Sequence, residues 1–447
     1  MLLIWLVPAL ITAAVLALVE FGVPSMESPP PPAAAPGATS AKVDGASLSV
    51  QQIDAVHRLC SSCHAFPPAS SFTKDRWPGE VHKWFQFAAS AKIGPERIVS
   101  SEVVAAYFQQ RAPDRFAFAP VVGDNAPGRP LEFEKHFVGV PRVPHPVPRV
   151  ANVKWARLTS KSALDCLVCD MHYQRVYLWE GDQPDAGLKA IAKLDHPAHA
   201  EVVDLDGDGA RDVLVADLGT FFPSDDTFGR VIWLRGDPHS GSFTTFVLAD
   251  QLGRVADVQP ADFDGDGDLD LVVAVFGWRA VGQVLYLENQ TTDYQHPVFR
   301  PFELDPRSGA IHVPVADLNG DGRPDFVALL SQEHETIIAF LNEGPGKFRR
   351  ETIFEARDPA YGSTGIQLID LDGDADLDVL YTNGDLMDSG LLKPYHSVQW
   401  LENEGGFPFR HHHLAPLPGV HRAVAGDLDG DGDNDVLAAA FIPDTGT

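Results

Sequence analysis

The chain has 447 residues with 62 Asp and Glu against 34 Lys and Arg, a formal charge of −28, and 45% hydrophobic residues. That length suits two or three domains with real cores, and the charge excludes a surface built to coat nucleic acid or anionic membranes. The 26 Phe, 8 Trp and 8 Tyr exclude a disordered acidic chain, the 38 Gly and 36 Pro point to a turn-rich β fold, and 4 Cys are too few for a disulfide scaffold.

Residues 2–19 are uncharged and apolar, interrupted only by Pro8. Such a run fits a marginal membrane span or a signal-peptide core. The usual Lys or Arg in front of it and a small-x-small cleavage site are both missing, which favours an anchor over residues 1–23 to a cleaved signal. Residues 24–48 have the Pro/Ala-rich composition of a linker. Either reading predicts a periplasmic or cell-surface protein.

Within residues 49–115 the sequence reads Cys60-Ser61-Ser62-Cys63-His64. Two thiols three apart can reach the two vinyl groups of one porphyrin, and the adjacent His can supply a nitrogen to iron. A zinc site would need more ligands at metal spacing, and a redox Cys pair would need a βαβ context. Ile53, Val56 and Leu59 predict one face of a helix leading into the motif, and Pro78 and Pro95 stand at first-turn positions of two later helices. This segment resembles a minimal class I cytochrome c. The resemblance implies haem c on Cys60 and Cys63 with His64 as proximal ligand. None of Met1, Met26, Met171 and Met387 lies among these helices, so His82 is the best local distal candidate. An open iron position and a ligand from the next domain are the alternatives. Residues 116–130 form a second linker.

One nine-residue pattern then recurs, starting at Asp204, Asp262, Asp317, Asp370 and Asp427. Oxygen groups at its positions 1, 3, 5 and 9 suit a hard cation, and Gly at position 6 permits a sharp turn. An EF-hand would need Glu at position 12 and flanking helices, whereas here buried-strand runs such as VLVA and LVVA follow. Four short strands per repeat predict a β-propeller. Residues 131–447 resemble the FG-GAP/VCBS family, whose blades carry calcium loops of the integrin α kind. The resemblance implies five Ca²⁺ loops: Asp204, Asp206, Asp208 and Asp212; Asp262, Asp264, Asp266 and Asp270; Asp317, Asn319, Asp321 and Asp325; Asp370, Asp372, Asp374 and Asp378; and Asp427, Asp429, Asp431 and Asp435. Asn319 replaces an Asp, and Ala375 replaces the position-6 Gly, which predicts weaker binding in that loop.

A degenerate blade around Asp165–Asp170 lacks the metal positions, and its Cys166 and Cys169 read as strand residues. The repeat after Asp427 is unfinished unless residues 131–140 lend it a strand. The expected fold is therefore mainly β: a calcium-loop β-propeller of about six or seven blades, the last incomplete, preceded by a small all-α cytochrome c-like domain.

Five residues before each loop stand Asn152, His199, Asp257, His312, Gly365 and Arg422, with His421 one earlier, at the channel mouth opposite the loops. The strand after each loop returns Asp217, Trp278, Arg279, Glu333, His334 and Asn383 to that mouth. His199, His312, Glu333, His334, His421 and Arg422 are the candidates for chemistry there, and His411, His412 and His413 read as an alternating strand. No nucleophile triad, nucleotide loop or quinone-cofactor signature makes an enzyme specific. The reading is electron transfer linked to a redox partner, or to a small-molecule or glycan ligand, held by the propeller. The alternatives are a carbohydrate- or protein-binding adhesion propeller with accessory haem, and an oxidoreductase acting at the channel mouth.

Overall fold

A computed structural model describes residues 47–90, 98–119, 148–159, 162–387 and 389–442, and the backbone of three short strands, Leu2–Leu6, Leu16–Val19 and Glu134–Phe137. The first of these strands pairs with both of the others. The stretch read as able to complete the last blade thus pairs elsewhere. Most of the expected anchor, and the linker up to residue 46, lie outside the described residues. Among those described, no helix is long and apolar enough to cross a membrane.

Among the described residues three α-helices form the N-terminal unit: α1 (Val50–Cys60), α2 (Trp77–Ser90) and α3 (Ser101–Gln109). A capping box starts α1, with Ser49 accepting from the Gln52 amide and Gln52 reaching back to the Ser49 amide. Val56 and Leu59 of α1 meet Trp77, Val81 and Phe85 of α2 and Val104, Tyr107 and Phe108 of α3 in one core. Trp77 stacks on Phe108 with ring centroids 3.8 Å apart. Pro78 sits in the first turn of α2, as its sequence position predicts. α3 begins at Ser101, after an extended Ser100, and Pro95 lies outside the described residues.

Most of the described chain that follows is built from antiparallel sheets arranged as propeller blades, five of them four-strand meanders. Blade 1 comprises Val150–Ala156, Asp165–Asp170, Arg175–Trp179 and Lys189–Lys193. Blade 2 comprises Pro197–Val203, Asp212–Asp217, Gly229–Gly236 and Phe243–Leu252. Blade 3 comprises Val255–Ala261, Asp270–Val275, Gln283–Asn289 and Phe299–Asp305. Blade 4 runs Ala310–His312 with Val315–Ala316, then Asp325–Leu330, Thr336–Gly344 and Lys347–Glu355. Its innermost strand is split because Pro314 has no N–H and the Val313 amide turns away to Asp257. Blade 5 comprises Ser363–Ile369, Asp378–Asn383, Ser397–Glu402 and Arg410–Pro416.

Val420–Gly426 and Asp435–Ala440 then form a two-stranded sheet beside blade 5. Among the described residues the arrangement is thus five full blades and a two-stranded sheet, where six or seven blades were expected. The second strand of every full blade is buried along its whole length, as in DVLVAD and DLVVAV, because it lies between neighbouring blades. The cores are accordingly inter-blade: Trp233 and Leu214 pack with Val258 and Val273, and Phe326 and Phe340 with Phe263 and Tyr286.

The helical unit docks on the end of the propeller opposite the acidic loops. The Ser71 hydroxyl reaches Asp358 between blades 4 and 5, the Lys393 ammonium lies 5.2 Å from the Phe72 ring centre, and the Arg279 guanidinium lies 3.8 Å from that of Phe87. These propeller groups all sit on loops at the mouth end.

Candidate functional site

The acidic loops share one backbone geometry. Position 6 is left-handed in each, at Gly209, Gly267, Gly322, Ala375 and Gly432, and its amide donates to the first Asp of the loop. Ala375 holds this conformation at φ 78° despite its Cβ. Carboxylates converge in four of the loops, as Asp204, Asp206 and Asp212; Asp262, Asp264 and Asp270; Asp370, Asp372 and Asp374; and Asp427, Asp429 and Asp435. Asp204 Oδ1 and Asp268 Oδ1 are buried and make no hydrogen bond among the described residues. Orphaned carboxylate oxygens beside further carboxylates fit a hard cation such as Ca²⁺.

The position-9 Asp is also a structural staple. Asp212 accepts from the amides of Leu205 and Gly236, and Asp270, Asp325 and Asp378 repeat the pattern. Burial, with the neighbouring carboxylates, pushes the Asp270 carboxyl up to about 6. In the Asp317 loop Arg323 already pairs with Asp321, and Asn319 supplies no charge. In the first loop Arg235 lies 2.5 Å from Asp206 and 3.6 Å from Asp208.

At the helical unit, α1 ends at Cys60 and Ser61–His64 leave it as a turn. Cys60 and Cys63 are unpaired thiols, and burial pushes the Cys60 thiol up to about 11. His64 Nδ1 lies 2.8 Å from the Ala65 carbonyl oxygen. An Nδ1–H donated there leaves the Nε2 lone pair uncommitted. This donor set, two free thiols and an imidazole with a spare Nε2, fits covalent haem attachment. His82 is exposed, and its Nε2 lies 2.9 Å from Gln86 Nε2. The core face of α2 is carried by Val81, Phe85 and Ala88, so His82 lies off that face.

His334 belongs to the propeller; burial is the main cause that lowers its pKa, and the charges of Arg307 and then His64 act the same way. It sits in a blade-4 turn with two left-handed non-Gly residues, Gln332 at φ 58° and Glu335 at φ 43°. Glu335 anchors the turn: its carboxylate accepts from the Gly362 and Ser363 amides at 2.9 Å and from the Ser363 hydroxyl. Burial pushes this carboxyl up to about 7. Glu333 stands 3.8 Å from His334.

The ring residues read from the innermost strands meet in the channel. Asn152 Nδ2 lies 3.3 Å from His199 Nδ1, and His199 Nε2 lies 3.3 Å from Asp257 and 2.9 Å from Glu201. The second carboxylate oxygen of Asp257 lies 3.8 Å from His312 Nδ1, and Arg422 Nη1 donates to His312 Nε2 at 3.3 Å. Burial disfavours the charged Asp257, yet His199 and His312 beside it hold its carboxyl well below the usual range. Burial likewise works against His199, but Asp257 and Glu201 raise its pKa. Burial lowers His312.

A bulge precedes each ring residue. Register shifts occur at Val150/Asn152, Pro197/His199, Val255/Asp257, Ala310/His312, Ser363/Gly365 and Val420/Arg422. A bulge re-aims the residue that follows it. It also accounts for His421, which is the extra residue of its strand: it does not join the ring, and its buried Nε2 makes no hydrogen bond among the described residues. Asp217 and Asn383 are fully buried and hold backbone and neighbouring side chains. Trp278 and Arg279 donate their amides to Asp225. His411 and His412 are strand residues bonded to Gln399 and Glu402.

Lys154, Glu201 and Gln259, two residues beyond the ring positions, form a lower tier that the sequence reading missed. Lys154 and Glu201 pair at 2.8 Å, and Gln259 donates to Asp257 at 3.0 Å. Strand alternation was the available signal, because residues i and i+2 share a face. A cavity of about 360 Å³ at the same end, lined by Arg149, Met171, His172, His196, Phe221 and Phe222, was also missed. Its residues come from turns that carry no repeat pattern.

Residues 204–273 and 317–381 match the family described as FG-GAP-like repeat. A comparison with curated proteins gives no match. The matched segments begin at acidic loops and extend into the buried strands of blades 2–5. The chain therefore carries FG-GAP-like repeats folded as blades of a β-propeller of about five blades.

Proposed function

We propose that this chain is an exported c-type haem protein in which a calcium-stabilised propeller binds a partner or substrate and the helical unit exchanges electrons with it. One observation carries this reading: the helical unit bearing Cys60, Cys63 and His64 docks on the mouth end of the propeller, toward which the ring residues face. Haem c, when bound, supplies one-electron chemistry. Cys60 and Cys63 would hold it through their sulfurs and His64 through Nε2. The second ligand we infer is His334, on the turn after Leu330 at the mouth end of blade 4, where the helical unit docks, whereas His82 faces solvent. The anchored turn around Glu335 gives His334 a defined presentation, which supports ligation from the next domain over the local alternative.

Haem attachment requires export, so the proposed location is the periplasm or cell surface, with or without an N-terminal anchor. The decisive experiment is the absorption spectrum, oxidised and reduced, of protein exported in cells competent for haem attachment. Covalent haem that disappears in Cys60→Ser/Cys63→Ser supports the reading, and exported protein without covalent haem ends it. The FG-GAP-like repeats favour a second reading, a ligand-binding or adhesion propeller to which any haem is accessory. That reading predicts ligand binding unchanged by loss of the two thiols.

A further inference from the structure

Among the described residues, Arg422 in the channel has no carboxylate within ion-pair distance. The ring carboxylate Asp257 and the lower-tier carboxylate Glu201 are both engaged: Glu201 by Lys154 and His199, and Asp257 by His199, by Gln259 and by the Val313 amide. Arg422 enters from the opposite wall. Among the described residues no carboxylate oxygen lies within 4.0 Å of its guanidinium, and its hydrogen bond goes to the ring nitrogen of His312. Solvent in the channel reaches it.

Its placement is built. At the blade-5 ring position stands Gly365, where a Cβ would meet Arg422 Cδ at 3.2 Å, the His421 carbonyl oxygen at 3.2 Å and Arg422 Nη1 at 3.3 Å. The missing side chain lets Arg422 cross in front of blade 5 and reach His312 on blade 4. Asp257, at His312 Nδ1, favours the tautomer whose Nε2 accepts from Arg422. The remaining guanidinium donors point to no protein acceptor among the described residues, and a planar fork of donors matches an oxyanion.

We propose that the Arg422 wall of the channel is a recognition site for a small oxyanion-bearing ligand, held by the free donors of Arg422 beside His312. The ligand is small because the arc from His199 to Arg422 is closed by side-chain contacts under 4 Å. This site deepens the ligand-binding half of the proposed function and does not depend on the haem.

Isothermal titration of calcium-loaded, full-length protein with sodium succinate, acetate and sulfate, against chloride at matched ionic strength, tests it. Saturable binding is expected, weakened roughly 10- to 100-fold in Arg422→Gln by loss of a charge-assisted hydrogen bond. Gly365→Ala keeps the charge but displaces the side chain, and is expected to weaken binding as well. Succinate bound more tightly than sulfate identifies a carboxylate ligand, and the reverse order a tetrahedral one. No saturable binding of any oxyanion by the wild type overturns the proposal, as does unchanged affinity in Arg422→Gln. Should Arg422→Gln lose its cooperative melt, wild-type affinity in both Arg422→Lys and Gly365→Ala overturns it instead. The haem spectrum is recorded on the same samples: anion binding without haem removes only the electron-transfer reading, and haem without anion binding removes only this site.

Discussion

The hydroxyl of Ser71 reaches both carboxylate oxygens of Asp358 at 3.0 Å in a buried contact that joins positions 287 residues apart. The helical unit is fastened to the propeller here, between blades 4 and 5. Ser71→Ala leaves buried carboxylate oxygens short of a donor, a cost of about 1–3 kcal/mol. The expected result is a helical unit that melts or is cleaved separately from the propeller. A single melting transition at the wild-type temperature, with wild-type resistance to limited proteolysis, would show that the contact does not hold the units together.

Calcium should stabilise the propeller far more than the helical unit. The orphaned oxygens of Asp204 and Asp268 and the raised carboxyl of Asp270 describe loops that carry unrelieved negative charge. Each site filled at a hundredfold excess over its Kd adds about 2.7 kcal/mol. A strong chelator should therefore lower the melting temperature clearly, and Asp370→Ala should cost more than Asp317→Ala, because Arg323 and Asn319 already reduce the charge of the latter loop. Calorimetry with and without chelator decides this, and coincident traces would refute it.

Ala375→Gly should stabilise the protein. The alanine holds a left-handed backbone that costs an L-residue about 1–2 kcal/mol, and no chain neighbour crowds this loop's other glycine, Gly373. Glycine regains part of that cost against its larger unfolded-state entropy, leaving a gain of about 0.5–1 kcal/mol. Urea titration measures it. A loss of stability would mean that the methyl group makes a favourable contact.

Glu335 makes stability depend on pH. Burial raises its carboxyl from 4.5 to about 7 in the folded protein. The folded state therefore binds the proton more tightly, and the resulting stability is complete below about pH 4.5 and is lost as pH rises through 7. Glu335→Gln mimics the protonated form, so its stability should fall less than that of the wild type between these limits, with a difference on the order of 3 kcal/mol. Parallel pH profiles of the two proteins would contradict this assignment.

His334→Ala tests axial ligation across the interface. On the proposed reading haem content should be unchanged, because Cys60 and Cys63 would carry the attachment, while the oxidised spectrum should shift from low-spin toward high-spin. His82→Ala should leave it as in the wild type. The opposite pattern would place the second ligand on α2.

Much of this protein lies in short stretches of its sequence. The loops were legible because their acidic residues fall within nine positions, as in Asp262–Asp270, and the buried second strands because runs such as Asp325–Leu330 need no partner to be recognised. The Cys60–His64 motif is equally local. By contrast, the lower channel tier of Lys154, Glu201 and Gln259 needed the strand alternation to be carried one step further than the ring.

What the sequence by itself determined is the repeat, its acidic loops, the thiol-histidine motif and the order of residues around the channel. Tertiary structure alone decided which of these meet. Bulges turned Arg422 into the channel and left His421 outside it, and Arg422 then reached His312 across 110 residues. Packing of the helices left His82 exposed, off the core face of α2. The physical reason is range: ligand spacing and strand alternation are properties of neighbouring residues, whereas contacts between blades and domains depend on how whole sheets close around an axis.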